Sequence, residues 1–318
     1  VAEVNPHLRL IKEARASWLY PIYVPSYTRA GRAPFLEQLH GTPLTVRNRV
    51  HIVVRPEDKS DYRNSYPWAK IVVEAQPGIG PARMRCLIDA EARGYSRIVV
   101  VDDDIEKVSL LRRVVRPGQP DYAQRYSSSI TGISKPALTV RTLAATCLLA
   151  DGVFALREDA AYGAARNALF AGPVADPRIG AMLHKQSFPA CVMLIDVERF
   201  RMREMPEPFH YHGEDLAMFL DTLESGQRAF QLPAVAYDQN STIRTTIPLD
   251  PLDEVGRPHL EYTPEFYPNV HPFLRASVKN KLGGVMRIGV NWNRLYKATG
   301  TGPDIIPMNE LLQATKEI

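Results

Sequence analysis

Four short runs of mostly branched aliphatic residues, "YPIYVP" (20–25), "VHIVV" (50–54), "AKIVV" (69–73) and "RIVVV" (97–101), recur with turn residues at their ends. Runs this short and apolar suit strands buried on both faces, the condition of a parallel sheet. Parallel neighbours need a crossover, and "GIGPARMRCLIDAEARG" (78–94), between the last two, reads as a helical one. Pro81 suits its first helical position, Gly94 its C-terminal cap, and Met84, Leu87 and Ile88 its inward stripe. The alternation predicts an α/β chain with a doubly wound, mostly parallel sheet over residues 18–105.

The remaining sequence divides less evenly. At 318 residues the chain can form one large α/β domain or a core with an elaborated tail. Residues 112–136 are polar and basic and read as a mobile loop; "FPACVMLIDVERF" (188–200) reads as a strand running into a helix. "GEDLAMFLDTLESG" (213–226) reads as an amphipathic helix stopped by Gly226, and "AFQLPAVAYDQ" (229–239) as another strand. Residues 245–272 are rich in proline with little periodicity. The expected organisation is a core over 1–240, split into halves at 18–105 and 106–240, and an irregular extension over 241–318. No apolar run approaches the ~20 residues of a membrane span. The opening "VAEVNPHLRL" lacks a signal-peptide pattern, and three scattered cysteines suit a reduced compartment, so the expected location is cytoplasmic.

Chemistry concentrates first at "VVVDDDI", where the fourth strand runs into Asp102, Asp103 and Asp104. Like charges so close need neutralising. Strand alternation puts Asp102 and Asp104 on one side and turns Asp103 away. Ligands of open α/β sheets bind beyond the carboxyl ends of strands, and two carboxylates there suit Mg²⁺ or Mn²⁺. The alternative is a solvated strand end whose acids cap the next turn. In "PGIGPAR" (77–83), Gly78 and Gly80 would let the backbone approach a diphosphate at the helix N-terminus, within reach of Arg83. A plain tight turn with an exposed arginine is the competing reading. Glu214 and Asp215 open the 213–226 helix, where acids gain from the helix dipole or serve as a general base.

These motifs in this order, "YVPSYTRAGR", "GIGPARM", "VVVDDDI", "CVMLIDVERF" and "HGEDLAM", resemble GT-A glycosyltransferases with their Asp-X-Asp motif. They are most similar to the phage glycosyltransferases associated with TET/JBP dioxygenases, which sugar-modify hydroxymethylated pyrimidines in DNA. The resemblance covers residues 20–240 and implies a GT-A-like, Rossmann-type fold with a nucleotide-sugar half and an acceptor half. It implies a UDP-sugar donor and a Mn²⁺ or Mg²⁺ cofactor, and host cytoplasm as the location if the chain is phage-encoded. Carried over by position, Pro25, Ser26, Tyr27 and Arg29 would cradle uracil and ribose, and Glu57, Asp58 and Tyr62 would close on the base. Gly78, Gly80 and Arg83 would meet the diphosphate, and Asp102 and Asp103 the ribose or a metal-bound water. Asp104 would hold the metal directly. Inversion needs a carboxylate opposite the leaving UDP; Asp215 is the first choice and Glu214 the alternate. His271, ahead of His259, is the candidate further metal ligand, and His210 and His212 could orient the acceptor.

Residues 275–297, "RASVKNKLGGVMRIGVNWNRLYK", hold six cations and no acid, with Trp292 and Tyr296 interleaved. Cations for phosphates and rings for stacking are the ingredients of nucleic-acid contact, so Lys279, Lys281, Arg287 and Trp292 are candidate DNA-binding residues. Arg112, Arg113, Arg116 and Arg125 add to them. The formal net charge of +4 permits such a partner without requiring it.

Overall fold

The computed structural model describes residues 6–114, 122–125, 132–167, 178–183, 190–211, 213–239, 263–279, 286–299 and 302–317. The expected strands are present as Ile22–Pro25 (β1), Val50–Val54 (β2), Lys70–Val73 (β3) and Arg97–Val101 (β4). Helices Pro6–Glu13 (α1), Pro34–Leu39 (α2), Leu44–Arg47 (α3), Lys59–Ser65 (α4) and Ile79–Ala92 (α5) accompany them. All neighbours in the order β4-β1-β2-β3 are parallel.

The second half enlarges this sheet. Its elements are Ile105–Val114 (β5), Tyr122–Arg125 (β6), Lys135–Leu156 (α6), Ala160–Asn167 (β7), Ile179–Leu183 (β8) and Val192–Asp196 (β9). Glu214–Glu224 (α7), Arg228–Gln239 (β10), Thr263–Phe266 (α8), Leu274–Lys279 (β11), Met286–Val290 (β12) and Trp292–Thr299 (α9) follow. Asp304–Pro307 (β13) and Met308–Ala314 (α10) close the described chain. The sheet runs β13-β8-β10-β7-β9-β4-β1-β2-β3, with β5 paired to both β10 and β6. β9 lies antiparallel between β4 and β7 and joins the two halves.

Alternation along the strands builds two cores. Ile22, Val24, Ile52, Val99 and Val101 face the cluster that holds α6, while Tyr23, Val53, Ile98 and Val100 face the one that holds α5 and α7. Residues one apart point to opposite faces, so the sheet is covered on both sides.

Several expectations are corrected. α5 starts at Ile79, so Pro81 is its third residue, where a missing N–H still costs no helical bond. Met84 and Leu87 are buried as expected, but Ile88 is 39 % exposed. The inward face instead follows Gly80, Arg83, Leu87 and Ala90. β9 ends in a turn rather than a helix. Residues 112–114 and 122–125 are strand, whereas the rest of the expected loop up to 131 lies outside the described residues. α6, unread in the sequence, is long and apolar enough to cross a membrane by length and composition, with a mean hydropathy of 1.4. It is a core helix, 78 % buried over that stretch. The division at residue 240 is also crossed: β13 pairs antiparallel with β8, and Leu311 of α10 is fully buried in the first core.

Candidate functional site

The acids stand where the chain leaves β4, and they turn instead of continuing the strand. The expected alternation therefore fails. Asp103 does not face away; it is 7 % exposed and accepts bonds from Ser26 Oγ and from the Arg29 guanidinium. Tyr62 Oη lies 2.6 Å from Ser26 Oγ and accepts from the Arg29 amide at 2.9 Å. Because the Ser26 hydrogen goes to Asp103, the Tyr62 hydroxyl is the donor to Ser26. Burial pushes the Asp103 carboxyl up to about 7, opposed by Arg29 and Ser26. Asp102 accepts from Arg83 Nη2 at 3.1 and 3.3 Å. Two arginines thus offset the clustered charge. Asp104 is served least: Arg29 is 4.0 Å away, Gln239 Nε2 donates to Oδ2 at 2.9 Å, and Oδ1 is buried without a hydrogen-bond partner. Burial first, and then Asp102, raise the Asp104 carboxyl above its ordinary value.

Beside these acids opens a cavity of about 290 Å³. Pro25, Ser26, Tyr27, Arg29 and Asp103 line it, as expected for the first strand's end. Val53, Val54, Arg55, Glu74 and Gln76, at the carboxyl ends of β2 and β3, add to the wall with Tyr211, and the start of α5 closes it. The sequence reading missed these six, although the strand-end rule pointed to all but Tyr211. Tyr62 stands behind the wall and supports Ser26. Asp58 accepts from the Thr28 amide at 3.2 Å and Glu57 pairs with Arg55 at 3.5 Å; neither lines the cavity.

The glycine loop packs closely against the protein's own chain. A Cβ on Gly78 would stand 2.3 Å from the His210 carbonyl oxygen, and one on Gly80 would stand 2.7 Å from the Phe209 carbonyl oxygen. The Gly80 amide donates to His210 O at 2.9 Å. The glycines admit the protein's own 205–210 segment, with Gly78 also reaching the cavity wall. Arg83, one turn on, is buried and so not the exposed arginine of the competing reading. It spans Asp102 and Glu214, whose Oε1 lies 2.9 Å from Nη1. Burial works against its charge, but Glu214, Asp102 and Asp215 more than offset that and raise its pKa. Burial raises both acids that open α7, with Arg83 opposing. Asp215 Oδ1 accepts from the Leu216 amide at 2.8 Å. Of the two acids, Glu214 carries the ion pair and Asp215 is the more exposed.

Residues 20–133, which carry β1 to β5 and the acid cluster, match the sequence model of the TET-associated glycosyltransferase family. Over this segment the chain is similar to the TET-associated glycosyltransferases. The match ends before Glu214 and Asp215. Among solved structures, mannose-1-phosphate geranyltransferase from Thermus thermophilus is similar over 69 % of this chain and 75 % of that one, at 11 % identity and a TM-score of 0.37. A protein of Desulfovibrio desulfuricans described as a nucleotide-diphospho-sugar transferase is similar over 66 % and 78 %, at 12 % identity and 0.35. Scores this low carry no weight beside the motif segment. No curated protein matches the chain.

The acids at the end of β4 fit a hard cation. Among the described residues no three His, Cys, Asp or Glu side chains converge to hold a metal. Mg²⁺ is commonly held by one or two carboxylates together with substrate phosphates, and the partnerless Asp104 oxygen is such a donor. His271 is not gathered to this cluster; its Nδ1 bonds Thr263 Oγ1 at 2.6 Å. His259 and His212 lie outside the described residues. The His210 ring meets the Met205 carbonyl at 2.8 Å. Lys279 and Arg287 fall on the antiparallel pair β11–β12, while Lys281 and Arg116 lie outside the described residues. Trp292 packs edge-on against Phe219 and stacks on Tyr296 at 5.8 Å, so its ring already has protein neighbours.

Proposed function

We propose that the protein transfers a sugar from a UDP-sugar to the hydroxymethyl group of a modified pyrimidine in DNA, with inversion and with a divalent metal. The observation that carries this reading is the join between two acidic sites. Asp103 walls a cavity with the β1–β3 strand ends, and its chain neighbour Asp102 is joined through Arg83 to Glu214, which opens α7 beside Asp215.

Asp103, Ser26 and Arg29 hold the donor's nucleoside end, while Asp102 and Asp104 face its diphosphate. Asp104 and Asp102 would hold Mn²⁺ or Mg²⁺, which when bound would supply positive charge to stabilise a diphosphate leaving group. Asp215 is the base. Its carboxylate takes the proton of the acceptor hydroxymethyl group as that oxygen bonds the anomeric carbon, and the bond from that carbon to the UDP oxygen breaks. Glu214, neutralised by Arg83, is less available for the proton. A base inside a duplex is inaccessible, so the acceptor is flipped out or met in the major groove. The motif resemblance read in the sequence supports the DNA acceptor, and the basic 275–297 segment would supply cations for its phosphates.

Donor use is tested by hydrolysis of a panel of nucleotide sugars with Mn²⁺ and with EDTA. UDP-sugars should be cleaved only with the metal. Equal cleavage in EDTA removes the metal, and a preference for another nucleotide removes uridine.

A further inference from the structure

Arg83 was expected at the donor's diphosphate, on the loop that opens α5. Its side chain is 3 % exposed; Nη2 donates to Asp102, and Nη1 stands at ion-pair distance from Glu214 Oε1, 2.9 Å, without a hydrogen bond. Asp102 belongs to the end of β4, inside the matched family segment, and Glu214 opens α7, outside it. One turn earlier on the same helix, the Gly80 amide holds His210 O, four residues before Glu214. Tyr211, next along, lines the donor cavity. The first turns of α5 therefore grip the 205–214 segment twice, by a backbone bond and by an ion pair.

We propose that Arg83 is a positioning residue that sets the acidic helix α7 against the donor-side acids by bridging Asp102 and Glu214, and that it does not bind the diphosphate. The proposal rests on the glycosyl-transfer reading. A guanidinium is a planar fork with donors on separate nitrogens, so it can hold two carboxylates at a fixed separation. A lysine carries a single ammonium and cannot reproduce that span. If Asp215 follows Glu214 on the same helix turn, loss of the bridge misplaces the base without touching the nucleotide.

The experiment compares wild type, Arg83→Lys, Arg83→Met and Arg83→Met/Glu214→Gln. It reads UDP affinity by titration calorimetry in EDTA, transfer kcat and KM with Mn²⁺, and melting temperature. EDTA isolates any direct contact of the side chain with phosphate from effects that pass through Asp102. Both single variants should keep UDP affinity within about threefold and lose kcat, Arg83→Met by a factor on the order of 10². Glu214→Gln in the Arg83→Met background removes one of the two carboxylates left without their cation, so the double variant should melt higher than Arg83→Met. A tenfold or greater loss of UDP affinity in EDTA makes Arg83 a phosphate ligand and overturns the proposal. Unchanged kcat in Arg83→Met, or full kcat in Arg83→Lys, overturns it too, as does a double variant no more stable than the single. Failure of the wild type itself to bind UDP even with Mn²⁺ is a different result, because it rejects the glycosyl-transfer reading beneath.

Discussion

Replacing Gly80 by alanine tests whether the glycine loop grips protein or phosphate. The added Cβ would lie 2.6 Å from Met205 Cγ, 2.7 Å from Phe209 O and 3.2 Å from His210 Cα. Met205 is a flexible side chain and can turn aside, but Phe209 O is backbone. Ordinary contact between heavy atoms is about 3.5 Å, so the 205–210 segment must retreat by roughly 0.8 Å. Overpacking of this kind costs about 1–3 kcal/mol, offset by about 0.5–1 kcal/mol from replacing glycine in a helix. A net loss of about 1–2 kcal/mol follows, or a melting temperature lower by about 2–5 °C in a chain of this size. The displaced segment leads directly into Glu214 and Asp215, and a misplacement near 1 Å can cost a factor on the order of 10² in turnover. Urea unfolding and transfer kinetics measure the two effects, and UDP affinity should be nearly unchanged. Normal stability and turnover with sharply weakened UDP binding would refute this reasoning and return the loop to the diphosphate.

Asp104→Ala should abolish turnover and weaken Mn²⁺-dependent UDP binding with melting temperature retained, and EDTA should mimic it until Mn²⁺ is restored. Asp215→Asn keeps the acceptor of the Leu216 amide bond but cannot take a proton at neutral pH, so kcat should fall by a factor on the order of 10²–10⁴ with UDP binding intact. A normal Asp215→Asn beside an inactive Glu214→Gln would exchange the two roles. His51 is fully buried, stacked on Tyr23 at 4.5 Å, and burial lowers it from 6.5 to about 4. The unfolded chain then binds more protons between these values, so stability is full above about pH 6.5 and falls as pH drops towards 4. The loss is of order 3 kcal/mol, and His51→Phe should flatten that acid limb in urea titrations run at several pH values. Leu311→Ala should cost about 2–5 kcal/mol, because Leu311 fills the space that Gly152 and Gly180 leave open. A loss below 1 kcal/mol would mean that α10 is not part of the core.

Local chemistry made much of this fold legible. β1, β2 and β4 show in the sequence because both their faces are buried, leaving runs of mostly branched aliphatic residues, and the edge strand β3 keeps the pattern in Ile71, Val72 and Val73. α6 escaped because it is apolar nearly all round and offers no polar stripe to mark a helical period. The "VMLID" strand was visible as β9, but nothing in five residues tells its direction, so its antiparallel join stayed hidden. The acid triplet marked the site, yet its geometry depends on a turn at Asp103 and on arginines 74 and 19 positions away. A strand rule cannot supply such partners. The glycines of "GIGP" declare close approach without saying whether protein or ligand approaches. Tyr211 carries no signal of its own; only the packing of its segment onto α5 brings it to the cavity.

The central claim is the transfer of a sugar to hydroxymethylated DNA, and its most direct test is a mass measurement on nucleosides. The protein is incubated with Mn²⁺, a panel of UDP-sugars and duplexes carrying 5-hydroxymethylcytosine or 5-hydroxymethyluracil, and the DNA is then digested. Binding to the same duplexes should fall steeply with salt, and less steeply when Lys279, Lys281 and Arg287 are replaced by alanine. One modified nucleoside should gain the mass of a single sugar residue in wild type, and none should do so in Asp104→Ala. If the UDP-sugar is consumed in the presence of a protein or small-molecule acceptor while every nucleoside keeps its original mass, the DNA acceptor is wrong.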